Sequence, residues 1–119
     1  MHAVSQLQQL EAGLESAKAQ VELRNQIAKL MDNREFRKVI REAFCEKECA
    51  RYAQESADPA LPDRQRADAL AMAQAAGHLK RWLAVQMVMG DNAVGQIPDY
   101  EQMIEHVRAG GDVEELGGE

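Results

Sequence analysis

Threonine is absent from this 119-residue chain, and serine occurs only as Ser5, Ser16 and Ser56. Each serine falls in a helix or loop setting that asks nothing more of it. No nucleophile stands beside a base, no glycine loop is built to cradle phosphate, and no metal ligands cluster. The carboxylates are plentiful but spread over helix surfaces, so the chain is expected to be no enzyme and to need no cofactor. Aromatic residues are scarce as well, at 4% against 45% hydrophobic residues. A core built from Ala, Leu, Val, Ile and Met favours packed helices over a β-sandwich, because strands draw on aromatic and β-branched side chains. No apolar run is long enough to span a bilayer, so no membrane partner is expected. The N-terminus lacks the basic-then-apolar pattern of an export signal. With only two cysteines, that places the chain in a reducing compartment, without a disulfide.

The net charge of −6 is unevenly spread. From Asp91 onward, eight acidic residues face Arg108 as the lone Lys or Arg, which leaves residues 1–90 close to neutral. A general nucleic-acid binder should carry a basic surface instead.

What is present is helical periodicity. Residues 64–89, RQRADALAMAQAAGHLKRWLAVQMVM, read as one long helix with two apolar stripes. Ala67, Ala71, Trp82, Val85 and Met89 form the first, with His78 beside Trp82 as a partly buried histidine. Met72, Leu79 and Leu83 form the second. Two stripes imply two neighbours. Gly77 costs roughly 1 kcal/mol in a helix interior, which close packing by another helix would offset.

Residues 4–31 read as a helix in which Leu7, Leu10, Leu14, Ala17 and Val21 keep the 4-3 spacing of a coiled-coil seam. Arg24 interrupts the seam, and Leu23, Ile27 and Leu30 continue it with a shift. This helix packs on the second stripe of its own chain or pairs with a second copy; the spacing supports both. MDNREF, residues 31–36, signals a new helix: Asp32 as N-cap, Glu35 reaching back to it, and Met31 with Phe36 as a hydrophobic staple. On the helix that follows, Phe36, Val39, Ile40, Ala43, Phe44 and Ala50 share a face expected to meet the first stripe. Arg34, Arg37, Lys38 and Arg41 lie on a flank and could touch phosphate or an acidic partner. Glu35, Glu42, Glu46 and Glu48 lie among them, which favours a solvated, salt-bridged surface.

Cys45 and Cys49 point to the back of that helix as a small apolar patch with Tyr52. A zinc reading would join them to His78 and His106, but the spacing is not that of a structural zinc site. SADPALPD, residues 56–63, is a short two-proline connection, so the helices on either side should be antiparallel neighbours. The long helix should end near Gly90–Asn92, or unravel by Gly95. Pro98 and Asp99 should then open a short amphipathic helix carrying Tyr100, Met103, Ile104 and Val107, which Gly110 and Gly111 stop. DVEELGGE is an acidic tail expected to be mobile.

NREFRKVIREAFCEKECARYAQESADPAL, followed by QRADALAMAQAAGHLKRWLAVQMVMG, resembles a group of small helical proteins encoded by tailed bacteriophages. The resemblance covers residues 30–95, roughly half the chain. It implies a phage origin and a place among virion structural or assembly proteins, in the host cytoplasm or the virion, and it carries no catalytic residues across.

The expectation is therefore an all-α protein in three segments. Residues 1–31 form a coiled-coil-like helix, 32–95 a helical hairpin core, and 96–119 a short helix and acidic tail. Leu7, Leu10, Leu14, Val21, Met72, Leu79 and Leu83 are the candidate partner interface. The partner would be a second copy or another phage structural protein. Arg34, Arg37, Lys38 and Arg41 are the candidate basic contact face, and nucleic-acid binding through it is the competing function. A third reading is an inhibitor of a host enzyme.

Overall fold

The computed structural model describes the backbone of residues 2–111 and the side chains of residues 4–111. The acidic tail from Asp112 lies outside the described residues. Within them every regular element is helical. Helix α1 spans His2–Asp32. Helix α2, residues 34–56, begins with an α-helical turn (Arg34–Phe36), widens into a π-helix (Arg37–Glu48) and closes as an α-helix (Cys49–Ser56). Helix α3 spans Asp63–Arg108.

Contacts divide the chain into two units. One combines residues up to Asn25 with those from Gln86 on, and the other is Gln26–Val85. The N-terminal helix thus shares a unit with the end of α3.

In the first unit α1 and α3 run antiparallel. Glu11 meets Arg108, Gly13 faces Tyr100, and Arg24 faces Gly90, so numbers rise on one helix as they fall on the other. The core is Leu10, Ile104 and Val107, with Leu7, Leu14, Tyr100 and Met103 packed against it. Ala17 and Ala93 are also buried. The leucine seam of α1 therefore finds a partner inside its own chain. Arg24 does not break that seam. It stands seven residues after Ala17, its stem lies over Gly90, and its Nε donates to Asp91 Oδ1 at 2.8 Å. Glycine supplies the room and aspartate the counter-charge. One turn away, Gln20 Nε2 donates to Gln86 Oε1 at 3.0 Å.

These contacts explain why GDN, residues 90–92, does not end the long helix as expected. Gly90 and Asp91 are spent on packing against Arg24, and the helix continues through Pro98 to Arg108. The expected separate C-terminal helix is instead the last turns of α3. Pro98 removes one amide from the ladder, but it lies on the exposed side with Val94, where water can satisfy the freed carbonyl. The helix stops where glycines allow it to. Gly110 adopts φ 93°, and Gly111 N–H donates to His106 O at 3.0 Å, a left-handed termination that favours glycine.

In the second unit α2 starts one residue later than expected. The N-cap is Asn33, whose Oδ1 accepts from Phe36 N–H at 2.8 Å, and α1 keeps Asp32. Glu35 then stands one position too early to close a capping box, and the Met31–Phe36 staple has no cap to bracket. Asn33→Ala should cost about 1 kcal/mol, the usual cost of losing such a cap. Asp32→Ala should be nearly neutral. Urea unfolding of the two variants separates the two cap assignments.

The π-helical stretch changes which residues share a face. In its last turn Cys49 N–H bonds to Phe44 O, five residues back. Such a ladder holds more than four residues per turn. On an α-helix Cys45 would lie about 180° round from Phe36; on the wider turn it returns to the same side. Accordingly Phe36, Ile40, Phe44 and Cys45 are half-buried and Cys49 is 5% exposed, whereas Val39, Ala43 and Ala50 face out. The cysteines are on the inner face, contrary to the expectation from α-helical spacing.

Residues 57–62 connect α2 to α3. Asp58 Oδ1 accepts from Ala60 N–H at 2.9 Å, and Pro62 O receives the Arg66 amide at 3.0 Å. Across this connection the Cys49 thiol donates to Met72 O at 3.5 Å. A thiol reaching a helix carbonyl requires close backbone approach, which the small residues Ala69 and Ala76, both buried, permit. Leu79 and Leu83 are half-buried on the same side. In α3 buried or half-buried residues recur every seven positions in both units, at Ala69, Ala76 and Leu83 and then at Gly90, Ile97 and Ile104. A seven-residue period marks a seam that a neighbouring helix can follow.

Candidate interaction surfaces

The stripe expected to meet the Phe36–Phe44 face is the one left outside. Ala67, Ala71 and His78 are exposed; Trp82 is 50% exposed and Val85 43%. Packing followed the alanine seam because small residues let two helices approach closely, whereas a tryptophan holds them apart. At Gly77 an added Cβ would find nothing within 4 Å, so no second helix offsets the cost of this glycine. In the first unit Val88, Met89 and Val94 are likewise more than two-fifths exposed.

The residues singled out as a partner interface separate. Leu7, Leu10 and Leu14 are occupied within the chain, in the cluster with Ile104 and Val107. Val21 is half-buried on α1. Leu79 and Leu83 belong to the alanine seam of α3, and Met72, at its edge, is 41% exposed. The apolar surface that remains open is centred on Trp82 and Val85, a pair whose helical spacing predicts burial.

Arg34, Arg37, Lys38 and Arg41 are all exposed. Arg37 and Arg41 line a shallow depression of about 220 Å³ together with Glu42 and Glu46. Among the described residues none of the four basic groups makes an ion pair within 4.0 Å, so the expected salt-bridged surface does not form there. It forms further along α2. Arg51 is held by Glu48 and Glu55 and stacks over the Tyr52 ring at 4.6 Å. The hydrogen bond to Glu48, joined by the charge of Glu55, raises the Arg51 pKa above its ordinary value.

A second polar feature has no counterpart in the sequence pattern. In the first unit Glu11, Leu14 and Glu15 of α1 and Glu101, Ile104, Glu105 and Arg108 of α3 line a groove of about 510 Å³. Arg108 neutralises Glu11 at 2.9 Å. Glu15, Glu101 and Glu105 have no ion pair among the described residues. On sequence alone these carboxylates belong to separate helices, and only antiparallel pairing brings them to one groove.

Among the described residues no three His, Cys, Asp or Glu side chains are grouped to hold a metal ion, and no helix is long and apolar enough to cross a membrane. No protein-family model, no curated protein and no solved structure matches the chain.

Proposed function

We propose that this chain is a non-enzymatic helical interaction protein that acts by helix–helix self-association. We further propose that it serves as a virion structural or assembly component of a tailed bacteriophage, in the host cytoplasm or within the virion. Residues 34–85 are read as an antiparallel hairpin that presents α3 to the partner. The observation that carries the reading is an inversion of the usual burial order. Alanines at 69 and 76 are buried while Trp82 and Val85 lie on the surface. Large apolar side chains grouped on one exposed helix face mark a surface made for another protein. The phage setting rests on the sequence resemblance over residues 30–95.

Trp82 is the single tryptophan, so it reports its own surroundings. Light scattering after size exclusion should give a mass that rises with concentration above the 13.2 kDa of one chain. Trp82 emission should shift to the blue over the same range. Trp82→Glu should weaken association at least tenfold and leave the helical circular dichroism unchanged. A wild-type chain that stays monomeric at every concentration, with solvent-exposed tryptophan emission, would refute the proposal. Purified virions should contain the chain in a fixed number of copies.

A further inference from the structure

We infer that the basic face of α2 docks into the acidic groove of a second copy of this chain, in a head-to-tail contact. The inference rests on the self-association proposed above and names the surfaces that carry one mode of it. Two features with opposite charge are both left unpaired. Arg34, Arg37, Lys38 and Arg41 stand exposed on one side of α2 without an ion pair among the described residues. Glu15, Glu101 and Glu105 stand exposed around the groove between α1 and α3, again without one.

The groove is not merely a set of carboxylates. Half-buried Leu14 and buried Ile104 form part of its lining, so an entering helix finds an apolar contact between the charges. The methylene stems of Arg37 and Arg41 can lie on that contact while their charged heads reach the carboxylates. A phosphate backbone could also meet the arginines, but it would leave the carboxylates uncovered. A second copy satisfies both surfaces at once and is therefore the occupant chosen.

The two surfaces differ, so the contact is heterologous. Each added copy brings one groove and one basic face, and the chain grows until it closes into a ring or continues as a filament. Complementary charge across such a contact steers encounter and weakens as salt rises.

The test uses sedimentation velocity of the full chain at low and high salt. Two double variants are compared with wild type: Arg37→Gln with Arg41→Gln, and Glu15→Gln with Glu101→Gln. Wild type should form species beyond the dimer at low salt and lose them at high salt. Each variant should lose the species beyond the dimer at low salt, its head-to-tail contact being at least tenfold weaker. With Trp82→Glu added to both to silence the other face, equal amounts of the two should form a 1:1 dimer and go no further, because each then has one working surface. Recovery on mixing also shows that both variants are folded. If both variants associate as wild type does, the docking mode is wrong, while self-association through the Trp82 face stands. If each dissociates but mixing restores nothing, the contact is not head-to-tail. If wild type stays monomeric throughout, self-association itself fails and the docking mode with it. If monomeric wild type instead binds a random-sequence DNA duplex and the arginine variant does not, the basic face belongs to nucleic acid.

Discussion

Gly90→Val is expected to lower the unfolding free energy by about 3 kcal/mol, the upper end of the usual cost of overpacking. The reason is local. A side chain at this position starts where the Cβ and Cγ of Arg24 already lie, and it also meets Gln20 O at 3.3 Å. The Arg24 Cβ cannot swing aside as the tip of a flexible side chain could, so the two helices of the first unit must part. For a chain of this size the loss corresponds to a fall in Tm of roughly 10 °C. Gly77→Val is the control. Its surroundings are open, and valine is no worse than glycine in a helix interior, so its Tm should hold or rise slightly. The decisive arm is the double variant Arg24→Gly, Gly90→Val. Arg24→Gly alone should cost about 1 kcal/mol in helix propensity and little for an exposed ion pair. If the clash is the cause, the two losses will be strongly non-additive. Additive losses in thermal and urea unfolding would show that Gly90 and Arg24 do not meet.

Pro98→Ala should act in the opposite direction, raising stability by about 3 kcal/mol. Proline at this position withholds an amide from the helical ladder and crowds the residue before it, and being exposed it returns no burial. Alanine removes both costs while Ile97 and Tyr100 keep their places on the seam. The expectation depends on α3 running unbroken through the site. Were Pro98 the first residue of a separate helix, where its ring is favourable, alanine would leave Tm unchanged or lower it. Calorimetry of the single variant, with far-ultraviolet circular dichroism to follow helix content, decides between the two.

The helix boundary at Pro98 shows where sequence reading reaches its limit. Composition and periodicity are enough for an all-helical chain, for the leucine seam of α1, for the two-proline connection and for the stop at Gly110. Asp32 and Asn33 are both good caps in adjacent positions, and only the hydrogen bond to Phe36 chooses between them. Gly90 and Asp91 look like a helix stop because the partner that uses them, Arg24, is distant in sequence. The π-helical stretch has no compositional mark. RKVIREAFCEKE would serve an α-helix as well, and the wider turn is therefore the one change that moves Cys45 and Cys49 to the inner face and Val39 out of it. For the interaction surfaces the difficulty is weight. A wheel draws attention to tryptophan and methionine, whereas close helix packing selects alanine and glycine. Leu7, Leu10 and Leu14 are readable as a contact surface, but not that their partner is Ile104 and Val107 of the same chain. The acidic groove needs the pairing of two helix ends and cannot be read from either.

The alanine and glycine lining of the seams also governs how the protein should respond to temperature. Not one described side chain is fully buried, and Ala69, Ala76, Gly90 and Ala93 contribute little hydrocarbon to the interior. Unfolding therefore exposes less apolar area per residue than usual, set against the same helical backbone. Since apolar exposure is what raises the heat capacity of the unfolded state, the increment should fall below the common value of about 12–15 cal/mol/K per residue. A smaller increment flattens the stability curve. Cooling then removes little of the driving force, and stability changes slowly on either side of its maximum.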